Sequence, residues 1–119
     1  MNHPSLPHCH DPRAERAFDH MPAPEAFDVT ADLFRLLGDR TRVQLFWLLC
    51  HCEECVLDLS ALMNMSSPAL SHHLKQLKAC RLILSRREGK EVYYRAADTP
   101  EAAALHRMIE QMAEIACPK

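Results

Sequence analysis

Two glycines in 119 residues leave no material for a glycine-rich phosphate loop. No pocket-building sheet or Cys-His pair with an orienting third group stands out either, so an enzyme is the reading with least support. Also missing is any window near the roughly 18–20 apolar residues that a membrane-spanning helix needs. The opening "MNHPSLPHCHDP" lacks the basic start and apolar stretch of a secretion signal. The expectation is a cytoplasmic protein with no membrane partner. Thiols stay reduced in that compartment, so the six cysteines argue for metal binding or thiol chemistry over a disulfide framework. The length suits one small domain.

An excess of positive charge is absent as well, since the net charge is -2. Resolved along the chain, however, residues 1–66 carry five basic and ten acidic side chains, residues 67–95 seven and two, and residues 96–119 two and four. One short basic segment inside an acidic protein points to nucleic acid.

Residues 1–22 hold four of the eight prolines and little apolar periodicity, which describes a mobile arm with a helical turn around "PRAERAF". The remainder, residues 23–119, is patterned throughout. From Glu25, the residues Phe27, Ala31, Phe34 and Leu36 or Leu37 recur at helical spacing until Gly38 stops the run. Asp39 can cap a second helix, whose apolar face is expected to be Val43, Phe46, Trp47 and Cys50. A cysteine cluster ends it, and a shorter helix follows over about Val56–Met63. In "MSSPALSHHLKQLKACRLI", Ser67 before Pro68 is expected to cap and start a helix with Leu70, Leu74 and Leu77 as its buried stripe. A short helix, a turn and a polar-faced helix make a helix-turn-helix. "LILSRREGKEVYYRA" then switches to strand chemistry: residues 84–87, a turn at Glu88, Gly89 and Lys90, and residues 92–95 form a hairpin with a basic tip. Thr99 and Pro100 start a last helix, whose stripe of Leu105, Met108, Ile109, Met112 and Ile115 either docks on its own domain or meets a second copy. The architecture is mainly α with a β-hairpin wing, a winged helix-turn-helix.

Two stretches, "LFRLLGDRTRVQLFWLL" and "CVLDLSALMNMSSPALSHHLKQLKACRLILSRREGKEVYYR", resemble the ArsR/SmtB family of metal-sensing winged-helix repressors, over about residues 28–117. The resemblance implies a homodimer that holds double-stranded operator DNA until an inducer releases it. Residues 23–119 would then form the DNA-binding and dimerisation domain. Ser67, Ala69, Ser71, His72, Lys75 and Gln76 can enter a major groove, where Gln can bond adenine and small side chains approach thymine methyls. His72 and His73 adjoin and so cannot share one direction on a helix. Arg86, Arg87 and Lys90 suit phosphate or minor-groove contact, while Tyr93 and Tyr94 pack the hairpin.

By the same resemblance, a sensing site joins cysteines on the helix before the recognition helix to an N-terminal arm, commonly the partner's. The family's usual Cys-Val-Cys-Asp-Leu reads "CVLDL" here, so Cys55 matches the first cysteine and Leu57 replaces the second. Cys52 can make good the lost thiolate in a Cys-x-x-Cys arrangement, and the arm offers Cys9 between His8 and His10. Cys9, Cys52, Cys55 and one of Cys50, His8, His10 or His51 make a soft four-coordinate site for zinc, cadmium or lead, the expected inducers; three thiolates alone would suit arsenite. A second family site on the terminal helices keeps Asp98 and Glu114 but has Pro100 and Gln111 where histidines belong; His106 and Glu110 could partly substitute. Two other readings stand beside metal sensing: a thiol switch using the same cysteines, and a zinc-stabilised dimerisation module without regulation.

Overall fold

The computed structural model describes residues 5–8 and 10–117. The chain divides into two compact units, residues 1–32 and 33–119. In the first, α1 (Arg13–Asp19) starts behind Asp11, whose carboxylate accepts the Arg13 backbone N–H at 2.9 Å and pairs with its guanidinium at 3.0 Å. Next comes α2 (Pro24–Leu36), opened by a proline that has no N–H to leave unpaired; its last turn, from Leu33, is counted in the second unit.

In the second unit Asp39 caps α3 (Arg40–Leu49), accepting the Thr41 N–H at 2.8 Å. The buried face of α3 differs from the expected one. Leu45, Phe46 and Leu49 are the core residues, whereas Val43 and Cys50 are half-buried and Trp47 is exposed. The helix is turned by about one residue, or 100°, relative to the expectation. Its apolar run is continuous enough to offer two faces, and the one that shares a core with Leu70, Leu74 and Leu77 is buried.

Two residues form β1 (Glu54–Cys55), an element no period-two pattern could announce. It leads into α4 (Val56–Met63), which ends on Asn64 in the left-handed conformation, φ 54°. The cap of α5 (Ser67–Ala79) is Ser66 and not Ser67: its hydroxyl accepts the Ala69 N–H at 3.3 Å. Ser67 is already inside the first turn and its hydroxyl lies 3.1 Å from that of Ser60, tying α5 to α4. Leu70, Leu74 and Leu77 are buried as expected.

The hairpin consists of β2 (Ile83–Glu88) and β3 (Glu91–Ala96), longer than expected because Glu88 pairs directly with Glu91. The turn is therefore Gly89 and Lys90 alone, with Gly89 at φ +62°, the positive value that a two-residue hairpin demands of its first central residue. The sheet order is β1-β3-β2, all antiparallel. Finally α6 (Pro100–Ala116) is capped by the Thr99 hydroxyl, which accepts the Ala102 N–H at 3.2 Å. Leu36 of α2, Leu59 of α4, Leu82, Ile83, Ala102 and Leu105 complete one core with the leucines of α3 and α5. Among the described residues no helix is long and apolar enough to cross a membrane.

Candidate functional site

The candidate nucleic-acid face comprises α5 and the wing. Ala69, Ser71, His72 and Lys75 are exposed on α5 away from its buried leucines, whereas Ser67, also exposed, lies beside that stripe with its hydroxyl against Ser60 of α4. His72 points out while His73 is half-buried, with Nδ1 unpartnered, so the two neighbours face different ways as their spacing requires. Gln76 is less available, because its side-chain oxygen accepts from Arg42 Nη1 at 2.9 Å.

On the wing the three basic residues are not equivalent. Arg86 donates to Glu53 at 2.7 Å and to Glu88 at 2.7 Å and lies over the Tyr93 ring. Hydrogen bonds to Glu53 and Glu88 raise its pKa further, and the Arg86 guanidinium holds the Glu53 carboxyl below its ordinary value. Arg87 and Lys90 are exposed and make no ion pair among the described residues. The sequence could not show this difference, since Glu53 is 33 positions from Arg86.

The cysteine cluster is spread over three settings. Cys50 closes α3 and is half-buried; burial, then the Glu110 charge, pushes its thiol up to about 11. The Cys52 thiol donates to the Leu48 carbonyl at 3.4 Å and is also raised, by burial and then by the charge of Glu54. In both, burial disfavours the thiolate form. Cys55 is buried, pairs with Tyr93 in the sheet and occupies the N-cap position of α4. Donor atoms of Cys55, Glu54 and Asp58 lie within 4.8 Å of one another, a partnership the sequence reading missed because it sought sulfur and imidazole. One sulfur and two carboxylate oxygens fit a borderline divalent ion such as zinc or cadmium. Among the described residues Cys50 and Cys52 join no such three-donor group. Cys9 lies outside the described residues, and His8 and His10 stack in the first unit at 5.3 Å.

A second convergence unites residues that the sequence had assigned to different sites. His51, just past α3, meets His106 and Glu110, one turn apart on α6. His106 Nε2 is 3.1 Å from His51 Nε2 and 3.0 Å from Glu110 Oε1, and His51 Nε2 is 3.4 Å from that same oxygen. The Trp47 ring lies against that of His51, centroids 4.2 Å apart and tilted by 40°, and donates its indole N–H to Glu110 at 3.2 Å. Burial works to raise the Glu110 carboxyl, but hydrogen bonds from Trp47 and His106, the His106 charge and the His51 contact hold it below its ordinary value. Asp98 and Glu114 are exposed and stand outside this group. On α6, Leu105 is buried in the core, Met108 and Ile109 are half-buried against it, and Met112 and Ile115 are exposed.

Comparison with known proteins agrees with this architecture. Residues 39–85 match the family described as "Bacterial regulatory protein, arsR family". The chain is 44% identical over 68 residues to a transcriptional repressor SmtB homolog from Synechocystis, matching 57% of this chain and spanning about half, 52%, of that protein. It is 34% identical over 106 residues to the cadmium resistance transcriptional regulatory protein CadC homolog from Staphylococcus aureus, covering 84% of this chain and 87% of that one. Among solved structures, the homodimeric winged helix-turn-helix DNA-binding domain of a possible ArsR-family regulator from Mycobacterium bovis superposes with a TM-score of 0.68 at 28% identity, over 79% of this chain and 88% of that domain. These relatives are transcriptional regulators and not enzymes. With its helix-turn-helix, its β-hairpin wing and a match extending over most of a full-length regulator, the chain belongs to the arsR family of bacterial regulatory proteins.

Proposed function

We propose that the protein is a cytoplasmic, metal-responsive repressor that binds operator DNA as a homodimer and leaves it on binding zinc, cadmium or lead. The observation that carries this reading is the position of Cys55. It is at once a donor beside Glu54 and Asp58, the strand partner of Tyr93 in the wing, and the residue from which α4 of the helix-turn-helix begins. Glu53, the preceding neighbour of β1, holds Arg86 and also reaches Arg95 at 3.8 Å. A displacement of this segment would reach the wing directly and α5 through α4, to which the Ser60–Ser67 contact ties it. The names of the SmtB and CadC homologues, one a repressor and one a cadmium resistance regulator, support the same class.

In this proposal Cys52 and Cys55, with Cys9 of the arm as a third thiolate, carry the sensing site; Glu54 and Asp58 add oxygen donors. Ser67, Ala69, Ser71, His72, Lys75 and Gln76 face the bases, and Arg87 and Lys90 supply the free phosphate contacts of the wing. Arg86 positions the wing through Glu53. The metal can act only by favouring a state in which the recognition helices no longer fit the operator.

The test is operator binding by reduced, metal-free protein, using DNA upstream of its own gene, with zinc, cadmium, lead and arsenite titrated in turn and Cys55→Ser and Cys9→Ser compared. Release by a metal, abolished in both variants while metal-free binding persists, is the expected result. Release by oxidant or polysulfide but by no metal would instead establish a thiol switch.

A further inference from the structure

We propose that His51, His106 and Glu110 form a separate metal site of nitrogen and oxygen donors within a single protomer, suited to zinc. It involves no cysteine and stands whether or not the Cys55 cluster senses metal.

The edges of the donor triangle are 3.0, 3.1 and 3.4 Å. A tetrahedral zinc ion with bonds of about 2.0–2.1 Å separates its ligands by about 3.3 Å, so the three atoms already stand at ligand spacing. Protons cannot account for the arrangement equally well. Each Nε2 carries at most one N–H and the carboxylate oxygen only accepts, so no tautomer makes well-directed hydrogen bonds along all three edges. One cation would satisfy all three lone pairs.

The support around the site is what a metal ligand set requires. His106 and Glu110 sit at i and i+4 on α6, and the His51 backbone N–H bonds to the Leu48 carbonyl at the end of α3. The Trp47 indole donates to the Glu110 oxygen and packs, tilted, against the His51 ring, an outer contact that restrains both ligands. The three side chains are 28–49% exposed, so an ion can enter and a water can complete the coordination. Occupancy would fasten the end of α3, next to Cys50 and Cys52, to the helix bearing Met112 and Ile115.

The test is a zinc titration of the reduced full-length chain, following the imidazole nitrogens by NMR and counting bound equivalents. The proposal expects His51 and His106 to move together to metal-bound positions. It expects His106→Gln to lose one equivalent and the His51 response, and Glu110→Gln to weaken that site at least tenfold. Thiolate-to-cadmium absorption, the independent signal of the cysteine cluster, should be unchanged in both. Unperturbed His51 and His106 resonances in the parent protein at saturating zinc would overturn the proposal without need of a variant, as would a full count of equivalents in His106→Gln. Loss of the thiolate signal alone would count against the Cys55 sensor and leave this site standing.

Discussion

The Asp39 carboxylate holds together the start of α3. Burial pushes its pKa up, but the N–H groups of Thr41 and Arg42 and the Arg42 guanidinium outweigh that and leave it below its ordinary value of 3.8. A carboxyl with a depressed folded pKa contributes fully above its unfolded value and loses that contribution as pH falls through the folded one. Asp39→Ala should therefore cost about 1 kcal/mol in urea unfolding at neutral pH, and the deficit should shrink in acid below the ordinary carboxyl value. At the wing, Arg87→Ala and Lys90→Ala should weaken operator binding across all sequences and each lower the salt slope by about one unit. Arg86→Ala should instead loosen the hairpin, seen as faster amide exchange in β2 and β3, because Glu53 and Glu88 hold its guanidinium. The caps Asp39 and Thr99 were legible in the sequence because a cap acts within three residues. Glu53 to Arg86 and His51 to His106 were not, because nothing local records contacts of that separation.

Helices announced themselves through spacing wherever one face alone was apolar. In α5, with polar residues on every other side, the stripe of Leu70, Leu74 and Leu77 was unambiguous. Truncating its centre, Leu74→Ala, should cost about 2–5 kcal/mol in urea unfolding, as expected for an emptied core position. The α3 segment was misjudged because "VQLFWLLC" is apolar nearly all round, and tertiary packing alone decides that Leu45 and Leu49 turn inward and Trp47 outward. The strand β1 was invisible, being two residues long, yet it joins the cysteine cluster to the wing. Sequence could nominate Cys55 as a ligand but could not show that it is built into the sheet.

For the whole molecule, the terminal helix separates two roles. Leu105 belongs to the protomer's own core, whereas Met112 is 56% and Ile115 71% exposed. Apolar side chains left uncovered at the end of an otherwise docked helix are the natural surface for a second copy. If the proposed homodimer forms here, Ile115→Asp should shift the protein toward monomer in sedimentation velocity and weaken operator binding in parallel, since a dimer would hold two half-sites with two recognition helices. In the proposed function, metal and operator oppose one another through a single dimer. Because such coupling is reciprocal, the most direct measurement is the cadmium affinity of the reduced protein alone and saturated with operator. Operator is expected to weaken cadmium binding by the same factor by which cadmium weakens operator binding. Equal cadmium affinity in the two states would contradict it.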